Sequence, residues 1–165
     1  SMLIEMSEWK KVEKKVCGLP EQYIARFIFN YDADVEKRII ELSKETGLPI
    51  VTIGGTLLSK FSKNKYTGPI GPQDWLYVID HADYVVTDSF HGAAFSIIFE
   101  KELYVSLASV TNSRLKTLMR TFSIEHRIIS GALSSQRIDY VTVKSIMADK
   151  REDSLKFLKS SMGIG

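Results

Sequence analysis

One stretch constrains the fold of this chain more than any other: residues 82–106, ADYVVTDSFHGAAFSIIFEKELYVS. It predicts a short strand at residues 84–87, a polar turn from Asp88 to Gly92, an apolar helix over residues 92–99 and a second strand at residues 103–106. Both strands are too short and too apolar to be half exposed. They are therefore predicted to be buried parallel strands, joined by a crossover helix.

A polar turn between such a strand and its helix lies at the carboxyl edge of the sheet. Open α/β sheets bind their ligands at this edge. The unpaired N–H groups at the start of the following helix also favour an anion. The sequence therefore predicts that a binding site, if the chain has one, is centred on the turn Asp88-Ser89-Phe90-His91-Gly92.

A second β-α-β unit precedes this one. It consists of a strand at residues 23–30, an amphipathic helix at residues 34–46 that ends at Gly47, and a strand at residues 49–53. The inward face of this helix is predicted to carry Val35, Ile39, Ile40 and Leu42. With two β-α-β units in one chain, the predicted fold class is α/β, a doubly wound parallel sheet of Rossmann type.

The remaining segments are assigned from their periodicity and their turn residues. Residues 54–72 are predicted to be an irregular loop. The other predicted elements are a helix at residues 6–16 capped by Ser7, helices at residues 73–81 and 111–122, a short strand at residues 126–129, and one or two closing helices within residues 140–162.

The composition of the chain limits the classes of function that it can have. The chain has 165 residues, a net charge of +2 and one cysteine. Basic and acidic residues alternate, which gives no support for nucleic-acid binding. No apolar run reaches the roughly 20 residues of a membrane span, and no signal peptide is recognisable. We expect a single cytoplasmic domain without an internal disulfide.

His91 is the strongest candidate for chemistry, because it lies between a strand and a helix. A histidine at this position can orient an anion or transfer a proton to a reacting carbon; it can equally satisfy only local backbone groups. Ser89 could cap the helix or donate to a bound phosphate. Gly92 would allow close approach of a backbone or a ligand. For Asp88 we favour helix capping alone.

Asn112, Ser113 and Arg114 stand at the start of the next predicted helix and should lie along the same sheet edge. Arg114 could bind a carboxylate or phosphate in bidentate fashion, or remain a solvated surface residue. For the lysines of the loop at residues 60–65 we favour the solvated reading. His81 is interpreted only as a favourable partner of a helix C-terminus. No metal-binding spacing, P-loop or G-x-S-x-G element is present, so no metal or cofactor is expected.

Several of these residues together resemble a known family. Gly71-Pro72, an apolar helix, ADYVVTDSFHGAAFSIIFEKELYV and then NSRL are similar to the C-terminal half of the polysaccharide pyruvyl transferases. The resemblance is strongest over residues 68–118. It implies one Rossmann-like half of a glycosyltransferase-B-type architecture, with residues 1–20 as a linker or N-terminal helix and residues 21–165 as the C-terminal domain.

The resemblance also implies a reaction: an enolpyruvyl unit passes from phosphoenolpyruvate to a sugar and forms a pyruvate ketal, in bacterial exopolysaccharide biosynthesis. His91 matches the family histidine that is proposed to bind or protonate the donor. Ser89, Gly92, Asn112 and Arg114 are the implied substrate-binding residues. Many members carry an arginine where this chain has Ser89. Either Arg114 or a lysine of the loop at residues 60–65 supplies that charge, or this chain uses a different donor or acceptor.

The implied partners are a small-molecule donor, a saccharide acceptor and an N-terminal domain of the same protein. Without that domain we expect little or no turnover. Two alternatives stay open: a glycosyltransferase domain that uses a nucleotide sugar, and a non-catalytic domain of the same fold.

Overall fold

The computed structural model describes residues 4–54, 65–66, 70–107 and 113–162. The described elements alternate between helix and strand along most of the chain. In order they are α1 (Met6–Val12), β1 (Ile24–Phe27), α2 (Ala33–Thr46), β2 (Ile50–Thr52), β3 (Lys65–Tyr66), α3 (Pro72–Asp80), β4 (Tyr84–Thr87), α4 (Phe90–Ile98), β5 (Glu102–Val105), α5 (Ser113–Thr121), a 3-10 helix (Glu125–Arg127) and α6 (Tyr140–Ser161).

The five strands form one sheet in the order β3-β2-β1-β4-β5. All four strand pairs are parallel. β1 is central and pairs with both β2 and β4, with Ile24 opposite Ile50 on one side and Tyr84 on the other. Both predicted β-α-β units are therefore confirmed. Strand β3 lies within the stretch that we predicted to be an irregular loop.

Successive strand residues face opposite sides of the sheet, and each side packs against its own helices. One cluster joins alternate residues of β1, β2, β4 and β5 to α3, α4, α5 and α6. The other joins the intervening strand residues to α2 through Val35, Ile39 and Leu42. Helices cover both faces, so the sheet is doubly wound, as predicted.

Helix α2 follows its prediction closely. The Asp32 side chain accepts hydrogen bonds from Asp34 N and Val35 N, and Gly47 ends the helix with a left-handed φ of 72°. The predicted inward position of Ile40 is wrong, since its side chain is 48% exposed. Val35, Ile39 and Leu42 pack on this face of the sheet together with residues outside the helix, among them Ile129 and Leu133.

Helix α1 is shorter than predicted. It ends at Val12, and Glu13 is extended, with φ −62° and ψ 145°. Straightening the chain here lets Lys14 N donate to Gln73 O over 3.2 Å and brings Glu13 towards the end of α3. Ser7 is not the cap, because Glu5 occupies the N-cap position.

The strand predicted at residues 126–129 is also wrong. This segment forms the 3-10 helix, followed by a single parallel bridge between Ile128 and Val105. Residues 140–161 form one continuous helix, capped by the Asp139 carboxylate. No helix among the described residues combines the length and the apolar character that a membrane crossing requires.

Candidate functional site

The strand order reverses direction at the centre of the sheet, between β1 and β4. Crossovers leave β1 on one side and β4 on the other, so a crevice opens beyond their carboxyl ends. The loop that follows β1 and the turn that follows β4 meet at this crevice. The predicted site turn, from Asp88 to Gly92, therefore lies at the topological switch point of the sheet.

Asp88 joins these two segments. Its carboxylate accepts hydrogen bonds from Phe29 N and Asn30 N, both at 2.9 Å, and from Asn30 Nδ2 at 2.8 Å. The side chain is buried, at 8% exposure. The capping role that we favoured for Asp88 is wrong, because Ser89 occupies the N-cap of α4. Asp88 instead fixes the β1–α2 loop against the site turn.

Ser89 has the extended backbone of an N-cap residue, and its Oγ accepts a hydrogen bond from Gly92 N at 3.4 Å. Its own N–H donates to Thr87 Oγ1 at 3.0 Å. The capping half of the prediction for Ser89 is thus confirmed. Its contact with a phosphate stays a prediction.

His91 lies in the first turn of α4 with its side chain exposed. Its ring meets the ring of Phe90 edge to face, with 5.9 Å between centroids. His91 and Ser89 both line a cavity of about 590 Å³ at the carboxyl edge of the sheet. The histidine is therefore accessible to a ligand that enters this cavity.

Gly92 is buried in the same turn. A Cβ built on it would lie 2.5 Å from Thr87 Oγ1 and 3.1 Å from Phe27 Cδ1. Glycine is required here for helix α4 to approach the ends of β1 and β4. Its predicted contact with a ligand stays a prediction.

Arg114 lies on α5, where its Cζ is 4.6 Å from the centroid of the Phe90 ring. It lines a second cavity, of about 340 Å³, that also borders Phe90. The structure thus places His91 and Arg114 on different cavities. Asn112 and the side chains of Lys60, Lys63 and Lys65 lie outside the described residues.

The walls of the His91 cavity are mainly aromatic and aliphatic. Rings follow one another in edge-to-face contacts: Trp9 with Phe95 at 4.9 Å, Phe95 with Trp75 at 5.4 Å, Trp75 with Phe27 at 5.4 Å and Phe27 with Phe29 at 4.8 Å. The sequence reading missed this wall. Its members come from α1, β1, the β1–α2 loop, α3 and α4, and no local pattern unites them.

A second group of polar residues lies away from this site, at the end of α3. Glu13, Asp80 and His81 bring potential ligand atoms within 4.8 Å of one another. Both Asp80 carboxylate oxygens already face ammonium groups, however: Lys10 Nζ at 3.0 Å and Lys101 Nζ at 3.8 Å. His81 Nδ1 lies 2.9 Å from Tyr77 O. This arrangement is an ion-pair network that ties α1 to α3.

One family model matches the part of the chain that contains the site turn. The family model described as polysaccharide pyruvyl transferase matches residues 4–105, a range that includes β1, β4 and the whole site turn. No curated protein matches the chain.

Solved structures with a similar fold include two of the UDP-GlcNAc 2-epimerase from Methanocaldococcus jannaschii. The first has a TM-score of 0.51 at 12% identity and covers 86% of this chain and 41% of that chain. The second, a complex with UDP-GlcNAc and UDP, has a TM-score of 0.50 at 15% identity and covers 88% and 42%. The chain thus spans about two fifths of these structures. The predicted fold class, one Rossmann-like half of a glycosyltransferase-B-type architecture, is confirmed.

Proposed function

Because the chain belongs to the polysaccharide pyruvyl transferase family, we propose that it is the donor-binding domain of an enzyme that pyruvylates a cell-surface polysaccharide. The donor is phosphoenolpyruvate and the product is a pyruvate ketal on a sugar. The observation that carries this proposal is the position of His91: it lies within the matched residues, on the first turn of α4, and it lines an accessible cavity.

The proposed reaction balances as follows. Two sugar hydroxyls form C–O bonds to C2 of the enolpyruvyl unit, and the bond from C2 to the phosphate oxygen breaks. The methylene carbon gains one proton and becomes a methyl group. The two hydroxyl protons account for that proton and for the one that leaves on the phosphate. His91 is the proposed acid for the methylene carbon, since it is the titratable side chain among the described residues that line the cavity.

Phosphoenolpyruvate carries a phosphate and a carboxylate, and both need donors or cations. The first-turn N–H groups of α4 lack intrahelical acceptors and favour an anion at this helix start. Ser89 adds a hydroxyl, and Arg114 and Asn112 are the proposed further contacts from the start of α5. Since Arg114 packs on Phe90, a rotation of its side chain would be needed to bring its charge to the His91 side.

Titration calorimetry with phosphoenolpyruvate tests the donor site. We expect saturable binding to the chain that His91→Ala weakens at least about tenfold, the loss of a charge-assisted contact. Arg114→Ala should weaken it as well. His81→Ala is the matched control, because His81 lies in the ion-pair network at the end of α3, and it should bind as the unchanged chain does. Equal affinity in His91→Ala, or no binding to the unchanged chain, would overturn the donor assignment.

A nucleotide-sugar donor is the second candidate, and the serine at position 89 is the feature that favours it. Many members carry an arginine beside the proposed phosphoenolpyruvate site, and the departure from that pattern at Ser89 leaves a different donor open. A nucleoside diphosphate would place its diphosphate at the start of α4. Displacement of UDP by phosphoenolpyruvate, and the reverse, separates the two: the donor is the ligand that binds more tightly and depends on His91.

A further inference from the structure

The loop between β1 and α2 exposes two large aromatic side chains. Phe29 is 70% exposed and Tyr31 is 79% exposed, and only Asn30 separates them. Single exposed apolar residues are common, whereas two large rings exposed this close together at the ligand edge of a sheet are a candidate binding surface. The function proposed above gives these rings no role.

This loop is also held in place. Asp88 binds the backbone N–H groups of Phe29 and Asn30 and the Asn30 side chain. At its other end Asp32 caps α2 by accepting from Asp34 N and Val35 N. Five hydrogen bonds thus fix a short segment whose rings face solvent. A surface ordered before its ligand arrives loses less entropy when the ligand binds.

Phe29 belongs to the wall of the His91 cavity. Its ring contacts Phe27, and Phe27 contacts Trp75, so that the three rings form one continuous surface, here called the aromatic platform. Trp75 Nε1 is buried and has no hydrogen-bond partner among the described residues, so it adds no exposed polar atom to the cavity wall. The platform therefore offers apolar ring surface.

We propose that the aromatic platform of Phe29, Phe27 and Trp75 binds a pyranose ring of the acceptor saccharide. This inference rests on the proposed function and adds the second substrate to the same cavity. A pyranose presents an apolar C–H face that stacks on an aromatic ring, while its hydroxyls stay at the rim. The donor anion gains little from such walls. The two substrates are therefore divided between the helix start, which binds charge, and the platform, which binds the sugar ring.

Saturation-transfer NMR on the 165-residue chain tests the platform. The probes are the neutral methyl β-pyranosides of glucose, galactose and N-acetylglucosamine at millimolar concentration. We expect transfer to the ring C–H protons of at least one of them. Phe29→Ala should reduce that transfer about fivefold, the loss of one aromatic contact. Phe29→Tyr should retain it, because the ring is kept.

Phe157→Ala is the matched control. Phe157 is 72% exposed on α6, so the substitution removes the same side chain at nearly the same exposure from another element. It should leave saturation transfer unchanged. If no pyranoside shows transfer, or if Phe29→Ala and Phe157→Ala give equal signals, the proposal is wrong.

Two further measurements separate this inference from the donor assignment. Phosphoenolpyruvate affinity should be unaffected by Phe29→Ala, since the anion is bound elsewhere in the cavity. If a pyranoside binds and phosphoenolpyruvate does not, the platform proposal stands and the assignment of phosphoenolpyruvate as the donor is wrong. Light scattering completes the test: if Phe29→Ala abolishes self-association and no pyranoside binds, the platform is a protein contact and the proposal is overturned.

Discussion

Gly92 shows how closely the site turn is packed. The Thr87 hydroxyl that faces it is fixed on both sides, since it donates to Phe27 O at 2.7 Å and accepts from Ser89 N at 3.0 Å. It cannot move away from a new methyl group without losing a hydrogen bond. Strands β1 and β4, the turn and α4 therefore meet at one point, with room for a hydrogen atom only.

We predict that Gly92→Ala lowers the free energy of unfolding by about 1–3 kcal/mol, the usual range for overpacking a filled site. The measurement is urea unfolding followed by circular dichroism. Gly71→Ala is the comparison, because its new Cβ would lie 3.4 Å from Asp74 Oδ2, an ordinary contact, and it loses only the preference for glycine over alanine at the N-cap of α3. Equal unfolding midpoints for the two variants would contradict this account of the turn.

The role of a residue could be predicted where its partners are near it in the sequence. It could not be predicted where the partners are far away in the sequence. Ser89 caps the helix that begins one residue later, so its hydroxyl and the polar turn were sufficient evidence. Asp88 binds Phe29 and Asn30, which precede it by 59 and 58 residues. Nothing within either segment indicates that pairing, and the aromatic platform was missed for the same reason.

At the scale of the elements, the 3-10 helix is attached to β5 through Arg127. The side chain is 2% exposed, forms an ion pair with Glu102 and donates to Ser134 O at 3.2 Å. Its Cζ also lies 4.5 Å from the centroid of the Tyr104 ring. A strand was predicted here, but Arg127 lies in the 3-10 helix, and its buried guanidinium reaches Glu102 on β5 and Ser134 O from that position.

We predict that Arg127→Met costs about 3 kcal/mol of stability, because it leaves the Glu102 carboxylate largely buried without its partner. The double variant Arg127→Met, Glu102→Met should recover most of that loss, since no unpaired charge remains. Chemical unfolding of the two single variants and the double variant measures the coupling. A double variant no more stable than Arg127→Met would contradict the explanation that an unpaired buried charge causes the loss.

A carboxyl group with a raised pKa, that of Glu13, lies at the C-terminal end of α1. The Glu13 side chain is 9% exposed. Burial, and then the negative charge of Asp80, raise its pKa from 4.5 to about 7, against the opposing charges of Lys10 and Lys101. His81 also faces it, with Nδ1 4.0 Å from Glu13 Oε2. Near neutral pH this group changes charge where α1 meets α3.

The sign of the resulting pH dependence follows from linkage. Between about pH 4.5 and pH 7 the folded chain holds a proton on Glu13 that the unfolded chain has released, so stability falls as pH rises through this window. Glu13→Gln mimics the protonated group and should be less dependent on pH, and more stable than the unchanged chain at pH 8 by on the order of 1 kcal/mol. Thermal unfolding from pH 5 to pH 8 measures this.

Glu8→Gln provides the comparison for that series. Glu8 lies on α1, five residues before Glu13, is 54% exposed and pairs with Lys11 within the described part of the chain. It should retain the pH slope of the unchanged chain. If Glu13→Gln and Glu8→Gln show the same slope, the pH dependence does not come from Glu13 and this account is wrong.

For the whole molecule, hydrophobic periodicity was sufficient to predict a doubly wound sheet. Strand β4 matches its predicted bounds, and β5 and α4 differ from theirs by one or two residues, because buried apolar runs give a strong signal. Strand β3 has two residues and no apolar run of its own, so only pairing with β2 defines it. The bounds of α1 depend on contacts with α3, which its own sequence does not encode.

The pairing of β1 with β4 has a consequence for how the molecule folds. Ile24 and Tyr84 are partners at the centre of the sheet, yet 60 residues separate them. Closing such a loop costs chain entropy before any strand contact repays it, so high contact order slows folding. The hydrogen bonds that the Asp88 carboxylate accepts from Phe29 and Asn30 can form only after β1 and β4 have paired. The crevice beside His91 is therefore completed together with the sheet centre, and a kinetic intermediate that lacks the β1–β4 pair also lacks the ligand crevice.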